Sequence, residues 1–223
     1  MSAAPVVPRL SHVAPWVLTA VRAAAALVLG LAITFTGGHS AGFGLVAFGL
    51  FGVVAGAVLL FGALLALAGP VRGSFLVQAV VTLAAGITAL VVVASAPANG
   101  DVIVLVGIVS AFAVVTGALE LVTGLRARRR DRSARDWILT GVLTLLLGVA
   151  FLVVPPGYTQ TLGGIQNITG TLTASVVLVG LLGAWGILVG VLQAISAVSL
   201  RGGAGAAGGA GAGVGGDRDG DAA

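Results

Sequence analysis

The sequence predicts an all-α membrane protein. Six transmembrane helices form three repeated helical hairpins, with both termini on the cytoplasmic side. Three observations carry this. Hydrophobic residues make up 58% of the 223 residues and charged residues 8%, where a soluble domain carries about 25% charged residues. Six apolar runs are long enough to cross a bilayer. All eleven basic residues are arginines, and in a six-span layout with both ends inside they all fall on one side.

The spans are Trp16–Thr36, Phe43–Ala68, Ser74–Ala96, Val102–Leu125, Trp137–Val154 and Ala174–Leu200. Each is about 18–27 residues, against roughly 20 needed for a hydrocarbon layer about 30 Å thick. Helices follow because lipid offers no partner for a free backbone N–H or C=O. A membrane barrel would need alternating strands of about ten residues, and the sequence contains none.

Residues 1–15 are polar and punctuated by proline, and read as a flexible segment. A signal peptide over residues 1–41 is set aside, because it would remove the first span from a threefold repeat. Arg22 lies within the first span. At mid-bilayer an arginine costs about 2.5–3.5 kcal/mol, but near the end of a span it can snorkel to the interface. Span two carries Gly52-x-x-x-Gly56 and closes at Gly69-Pro70, with Arg72 beyond. Span three ends at Pro97.

Span four runs into an arginine loop, RARRRDRSARD. Arg126, Arg128, Arg129, Arg130, Arg132 and Arg135 there face only Asp131 and Asp136. Such a cluster anchors topology and is also the pattern that attracts anionic lipid head groups or an acidic partner. It lies between spans, so it is not read as a nucleic-acid footprint. Span five stops at Pro155-Pro156. The loop 155–173 is uncharged and holds Asn167-Ile168-Thr169, a weak match to a glycosylation acceptor. The Ala/Gly/Val/Arg-rich composition points to a bacterial plasma membrane. Span six carries Gly186-x-x-x-Gly190-x-x-x-Ala194. The tail 202–223 is Gly/Ala-rich and lacks the side chains to form a core, so it reads as disordered. The domain organisation is therefore 1–15, a transmembrane domain 16–201 with hairpins 16–68, 74–125 and 137–200, and the cytoplasmic tail.

The repeat is visible at fixed offsets. Gly107, Phe112, Gly117 and Glu120 fall on Gly180, Trp185, Gly190 and Gln193. Phe51, Gly56 and Val58 fall on Phe112, Gly117 and Leu119. On the odd-numbered spans Gly30, Gly86 and Gly148 coincide, as do Arg22, Gln78 and Thr140. A two-helix unit cannot bury its small-residue face alone, so copies should pack on one another. In lipid, that packing relies on close approach at Gly and Ala. Gly52, Gly56, Gly117, Gly186 and Gly190 are the expected contact points, with Gly56, Gly117 and Gly190 the closest. The stripes on spans two and six also permit a homo-oligomer.

Trp137 with Gly141 and Gly148, Pro155 ending that helix, and the spaced Gly107, Gly117 and Leu119 followed by arginines together resemble the HdeD-like family. These membrane proteins are built from a short two-helix repeat. The resemblance covers about residues 16–201. It implies a six-span inner-membrane protein with a role in acid or envelope stress tolerance. It supplies no catalytic or ligand residues.

Candidates for chemistry are few. Glu120 is the only acidic residue well inside a span, which makes it a functional candidate by default. It lies six residues from Arg126, about 9 Å at 1.5 Å per residue. The repeat puts Arg22, Gln78, Thr140, Glu120 and Gln193 at one level of the bundle. The expectation is a polar cluster there, each interhelical hydrogen bond contributing about 0.6–2 kcal/mol as structural glue, or a site that senses protons or a solute. His39 reads as a solvated loop residue. With no Cys and two His, no metal site, thiol chemistry or cofactor is expected. No Ser/His/Asp set has plausible spacing, so the protein does not read as an enzyme, a lipid-modifying one included. A small channel or transporter is the alternative function, since many transporters are built from repeats, and a membrane scaffold is another.

Overall fold

The computed structural model describes residues 15–65, 70–95, 101–129, 133–162 and 170–212. Residues 1–14, Arg130, Asp131, Arg132, the Asn167-Ile168-Thr169 acceptor pattern and residues 213–223 lie outside them. The described residues are almost entirely helical: α1 (Pro15–Phe35), α2 (Ala41–Leu65), α3 (Pro70–Ser95), α4 (Val102–Ala127), α5 (Ala134–Val153) and α6 (Ala174–Ala212). All six are long and apolar enough to cross a membrane. Their bounds stay within four residues of the spans read from the sequence, except at the end of α6.

That helix continues to Ala212, into the stretch expected to be unstructured from residue 202. Between 202 and 212 the chain is only glycine and alanine. The five alanines favour a helix, the six glycines oppose it, and no proline stops it. The loop after α5 also differs from a plain connection. Strand β1 (Thr159–Leu162) pairs antiparallel with β2 (Gly170–Thr173) in the register Thr159↔Thr173. Ala174 N donates to Tyr158 O at 2.8 Å, joining this hairpin to the start of α6. At α4, Asp101 caps the helix by accepting from Ile103 N at 2.9 Å, which satisfies one of the free donors of the first turn.

The helices close into a ring in chain order, α1 to α6 and back to α1, with close and loose contacts alternating. The close pairs are α2 with α3, α4 with α5, and α6 with α1. Each joins one predicted hairpin to the next, rather than the two arms of one hairpin. The cause is glycine. A Cβ on Gly56 would lie 2.7 Å from Leu83 N, one on Gly117 2.8 Å from Leu145 N, and one on Gly190 2.9 Å from Leu27 N. Gly52 packs on Gly86 and Gly186 on Gly30 in the same way. Backbones this close exclude a methyl group and bring many atoms into van der Waals contact, which stabilises helix pairs where water exclusion cannot.

α2, α4 and α6 also meet one another inside the ring. Phe51, Phe112 and Trp185, one from each, form a triangle. Their ring centroids are 5.4–6.4 Å apart and each pair is edge-to-face, at 83–89°. This arrangement sets the positive edge of one ring against the negative face of the next. Phe48 adds a further ring contact to Phe51 and Phe112. Beyond the triangle, away from the arginines, the interior is apolar, with Leu45, Leu105, Val109, Leu178 and Leu182 buried.

Candidate functional site

A small cavity with polar groups in its wall lies on the other side of the triangle. Its wall follows helical spacing. Phe51, Ala55 and Leu59 line it from α2, Phe112, Thr116 and Glu120 from α4, and Trp185, Val189 and Gln193 from α6. Steps of four residues keep one face of each helix on the axis. The odd helices contribute Arg22, the pair Gln78 and Thr82, and the pair Thr140 and Thr144. The aromatic triangle is the floor. The polar level stands eight residues along each even helix, about 12 Å higher at 1.5 Å per residue. All five residues of the predicted polar cluster therefore line one cavity. Leu59 occupies the position on α2 that Glu120 and Gln193 hold on α4 and α6.

Glu120 is the centre of the cluster. It is 5% exposed, and its Oε1 accepts from Arg22 Nη2 at 3.1 Å and from Gln78 Nε2 at 2.5 Å. Arg22 reaches it from α1 with a side chain that is 18% exposed. The buried carboxylate is tenable because it is both ion-paired and hydrogen-bonded.

The connectivity gives this contact its importance. Arg22 belongs to the α6–α1 pair, Gln78 to α2–α3 and Glu120 to α4–α5. One carboxylate oxygen therefore ties all three close pairs together. The pairs themselves are held by apolar contact at glycine, and this is the polar contact that joins all three at the level of the cavity.

The surrounding hydroxyls turn back on their own helices. Thr116 donates to Phe112 O at 2.7 Å and Thr144 to Thr140 O at 2.8 Å. Trp185 Nε1 donates to Thr144 Oγ1 at 3.2 Å, fixing one ring of the triangle to α5. Gln193 differs from the rest: its Oε1 is buried and has no hydrogen-bond partner among the described residues. Further toward the arginine-bearing end, Ser196 Oγ donates to Asp136 Oδ2 at 2.7 Å, and the Arg201 guanidinium lies 5.2 Å from the Trp16 ring centre.

No family model, curated protein or solved structure matches the chain. The site has to be read from its own chemistry. Among the described residues no group of three metal-ligating side chains comes together. What the cavity offers is one ion pair, two amides and several hydroxyls, enclosed on one side by aromatic rings.

The sequence signals Glu120 and its neighbours through the repeat offsets. Phe51, Phe112 and Trp185 also fall on one another in those offsets, but equivalence along the chain does not say that three side chains converge. Thr82 and Thr144 coincide in the same way. Arg126, Arg128, Arg129 and Arg135, the described arginines of the RARRRDRSARD stretch, do not line the cavity.

Proposed function

We propose that this chain is a non-enzymatic integral membrane protein that responds to acid through Glu120. It contributes to acid or envelope stress tolerance, the role that resemblance to the HdeD-like family implies. It sits in a bacterial plasma membrane with both termini cytoplasmic. The observation that carries the reading is the joining of three helix pairs at one buried carboxylate oxygen.

The mechanism follows from the chemistry of that oxygen. As a carboxylate, Glu120 accepts from both Arg22 and Gln78. A proton taken up from the cytoplasmic side neutralises it, and the Arg22 guanidinium loses its counter-charge. A buried charge without a partner is costly, so Arg22 swings toward the arginine-bearing interface, where water can solvate it. The direct polar link from α1 to the other two pairs is then lost, while Trp185–Thr144 and Ser196–Asp136 still join α6 to α5. Acid thus converts a tied bundle into a looser one without breaking the glycine contacts within each pair.

The test is survival at low pH of a strain lacking the protein, complemented with wild type or with Glu120→Gln. Rescue by wild type alone supports the reading. Equal rescue by both reduces Glu120 to packing, and loss of the protein without phenotype removes the stress role. Transport is the weaker reading, because Phe51, Phe112 and Trp185 would have to part for a solute to pass along the axis.

A further inference from the structure

The unpartnered oxygen of Gln193 points to a guest. The residue is 8% exposed, and its Oε1 meets no donor among the described residues. A buried carbonyl left in that state loses its hydration with nothing in return. Gln193 lines the cavity that Glu120 and Thr140 also line. The cavity measures about 20 Å³, and a water molecule needs at least about 10–15 Å³ and two to four polar partners.

We propose that the cavity is a binding site for one water molecule, held between Gln193 Oε1 and the Glu120 carboxylate. The charge balance selects a neutral guest. Arg22 and Glu120 already offset each other, so a further cation or anion would add an uncompensated charge to the interior. The size excludes larger organic solutes. The hydrogen-bond count selects a donor. Arg22 and Gln78 both donate to Glu120 Oε1, and the Thr116 and Thr144 hydroxyls donate to their own helices. Among the described residues no donor reaches Gln193 Oε1, so the guest must supply one.

Water meets that need. It gives one hydrogen to Gln193 Oε1 and the other to the carboxylate, and it accepts from the Thr140 hydroxyl. The bridge brings α6 into the network directly, so that Glu120 is linked to both members of the α6–α1 pair. This site goes beyond the acid response and does not depend on it, because the water is bound whether or not Glu120 ever takes up a proton in the cell.

Two measurements on the full chain in detergent micelles test the proposal. The first needs no variant: water-selective nuclear Overhauser spectra of glutamine-labelled protein. A cross-peak between water and the Gln193 side-chain amide is expected, and its absence overturns the proposal. The second is the melting temperature of Gln193→Met, which keeps the side-chain length and removes the acceptor. With a water bound, the substitution strands it and the melting point falls by about 2–4 °C. In a dry cavity it removes an unsatisfied carbonyl and the melting point rises, which overturns the proposal. If Gln193→Met does not fold, the wild-type cross-peak decides alone. Neither result bears on acid survival, so failure here leaves the acid-response reading standing.

Discussion

Gly86→Ala is expected to destabilise the bundle, although alanine is the better helix former. The added Cβ would lie 2.7 Å from Val53 N, 2.8 Å from Gly52 C and 2.9 Å from Gly49 O. Ordinary contacts between carbon atoms are about 3.5–4.0 Å, so α2 and α3 must move apart by roughly 0.8 Å. All three obstructing atoms are backbone, and no rotamer change can relieve them. Overpacking of this kind costs about 1–3 kcal/mol. Replacing glycine in a helix returns up to about 1 kcal/mol. The net expectation is a loss of about 1–2 kcal/mol.

Gly107 and Gly180 supply the control. They fall on each other in the sequence repeat, and a Cβ on either meets nothing within 4 Å. Alanine there should be neutral or stabilising by up to about 1 kcal/mol. The two classes should therefore differ by about 1–3 kcal/mol. At about 2–4 °C per kcal/mol for a chain of this size, that is roughly 2–12 °C in melting temperature. Thermal unfolding in one detergent, read by Trp fluorescence, is sufficient. If Gly86→Ala melts as high as Gly107→Ala, backbone approach at glycine is not what holds α2 to α3.

Other perturbations separate the remaining contributions. Arg22→Met removes a charged hydrogen bond of about 1.5–3 kcal/mol, discounted toward the low end because the side chain reaches water. The double variant Arg22→Met/Glu120→Gln should melt higher than the sum of the single losses, and strict additivity would show that the pair is not coupled. Trp185→Phe keeps a ring in the triangle and loses the donor to Thr144, at a cost of about 0.5–1.5 kcal/mol. Trp185→Ala opens a hole and should cost about 3–5 kcal/mol; comparable melting points for the two would mean that the ring contacts contribute little. The chain has no cysteine, so Ser40→Cys and Arg129→Cys each give a single labelling site. An impermeant maleimide should label the first from outside intact cells and the second only after lysis, and the reverse pattern would invert the topology.

Much of the architecture was legible because the bilayer imposes it. Apolar length gives the spans, and a helix is the backbone's way of satisfying itself in lipid. The level of the polar cluster was legible too, since the offsets place Arg22, Gln78 and Thr140 against Glu120 and Gln193. The choice of partner helix was not. Gly56 has the same sequence surroundings whether it faces the other arm of its own hairpin or the next hairpin, and only the assembled bundle selects Leu83. The strands at 159–173 are two runs of four residues, too short for alternation to stand out. The isolation of Gln193 Oε1 depends on where Arg22 and Gln78 direct their donors, and no spacing rule contains that.

The contact between α1 and α6 has a consequence for biogenesis. Gly30 and Gly186 fit against each other's backbones, so the chain's first helix finds its closest partner in its last. A membrane protein is threaded into the bilayer from its N-terminus, and α1 must wait in lipid, its small-residue face uncovered, until α6 arrives. Only the arrival of α6 covers that face. A product cut short after α5 would present an open seam, a feature that a membrane quality-control protease can recognise. Closing the ring between α1 and α6 makes the insertion of α6 a condition for burying the small-residue face of α1.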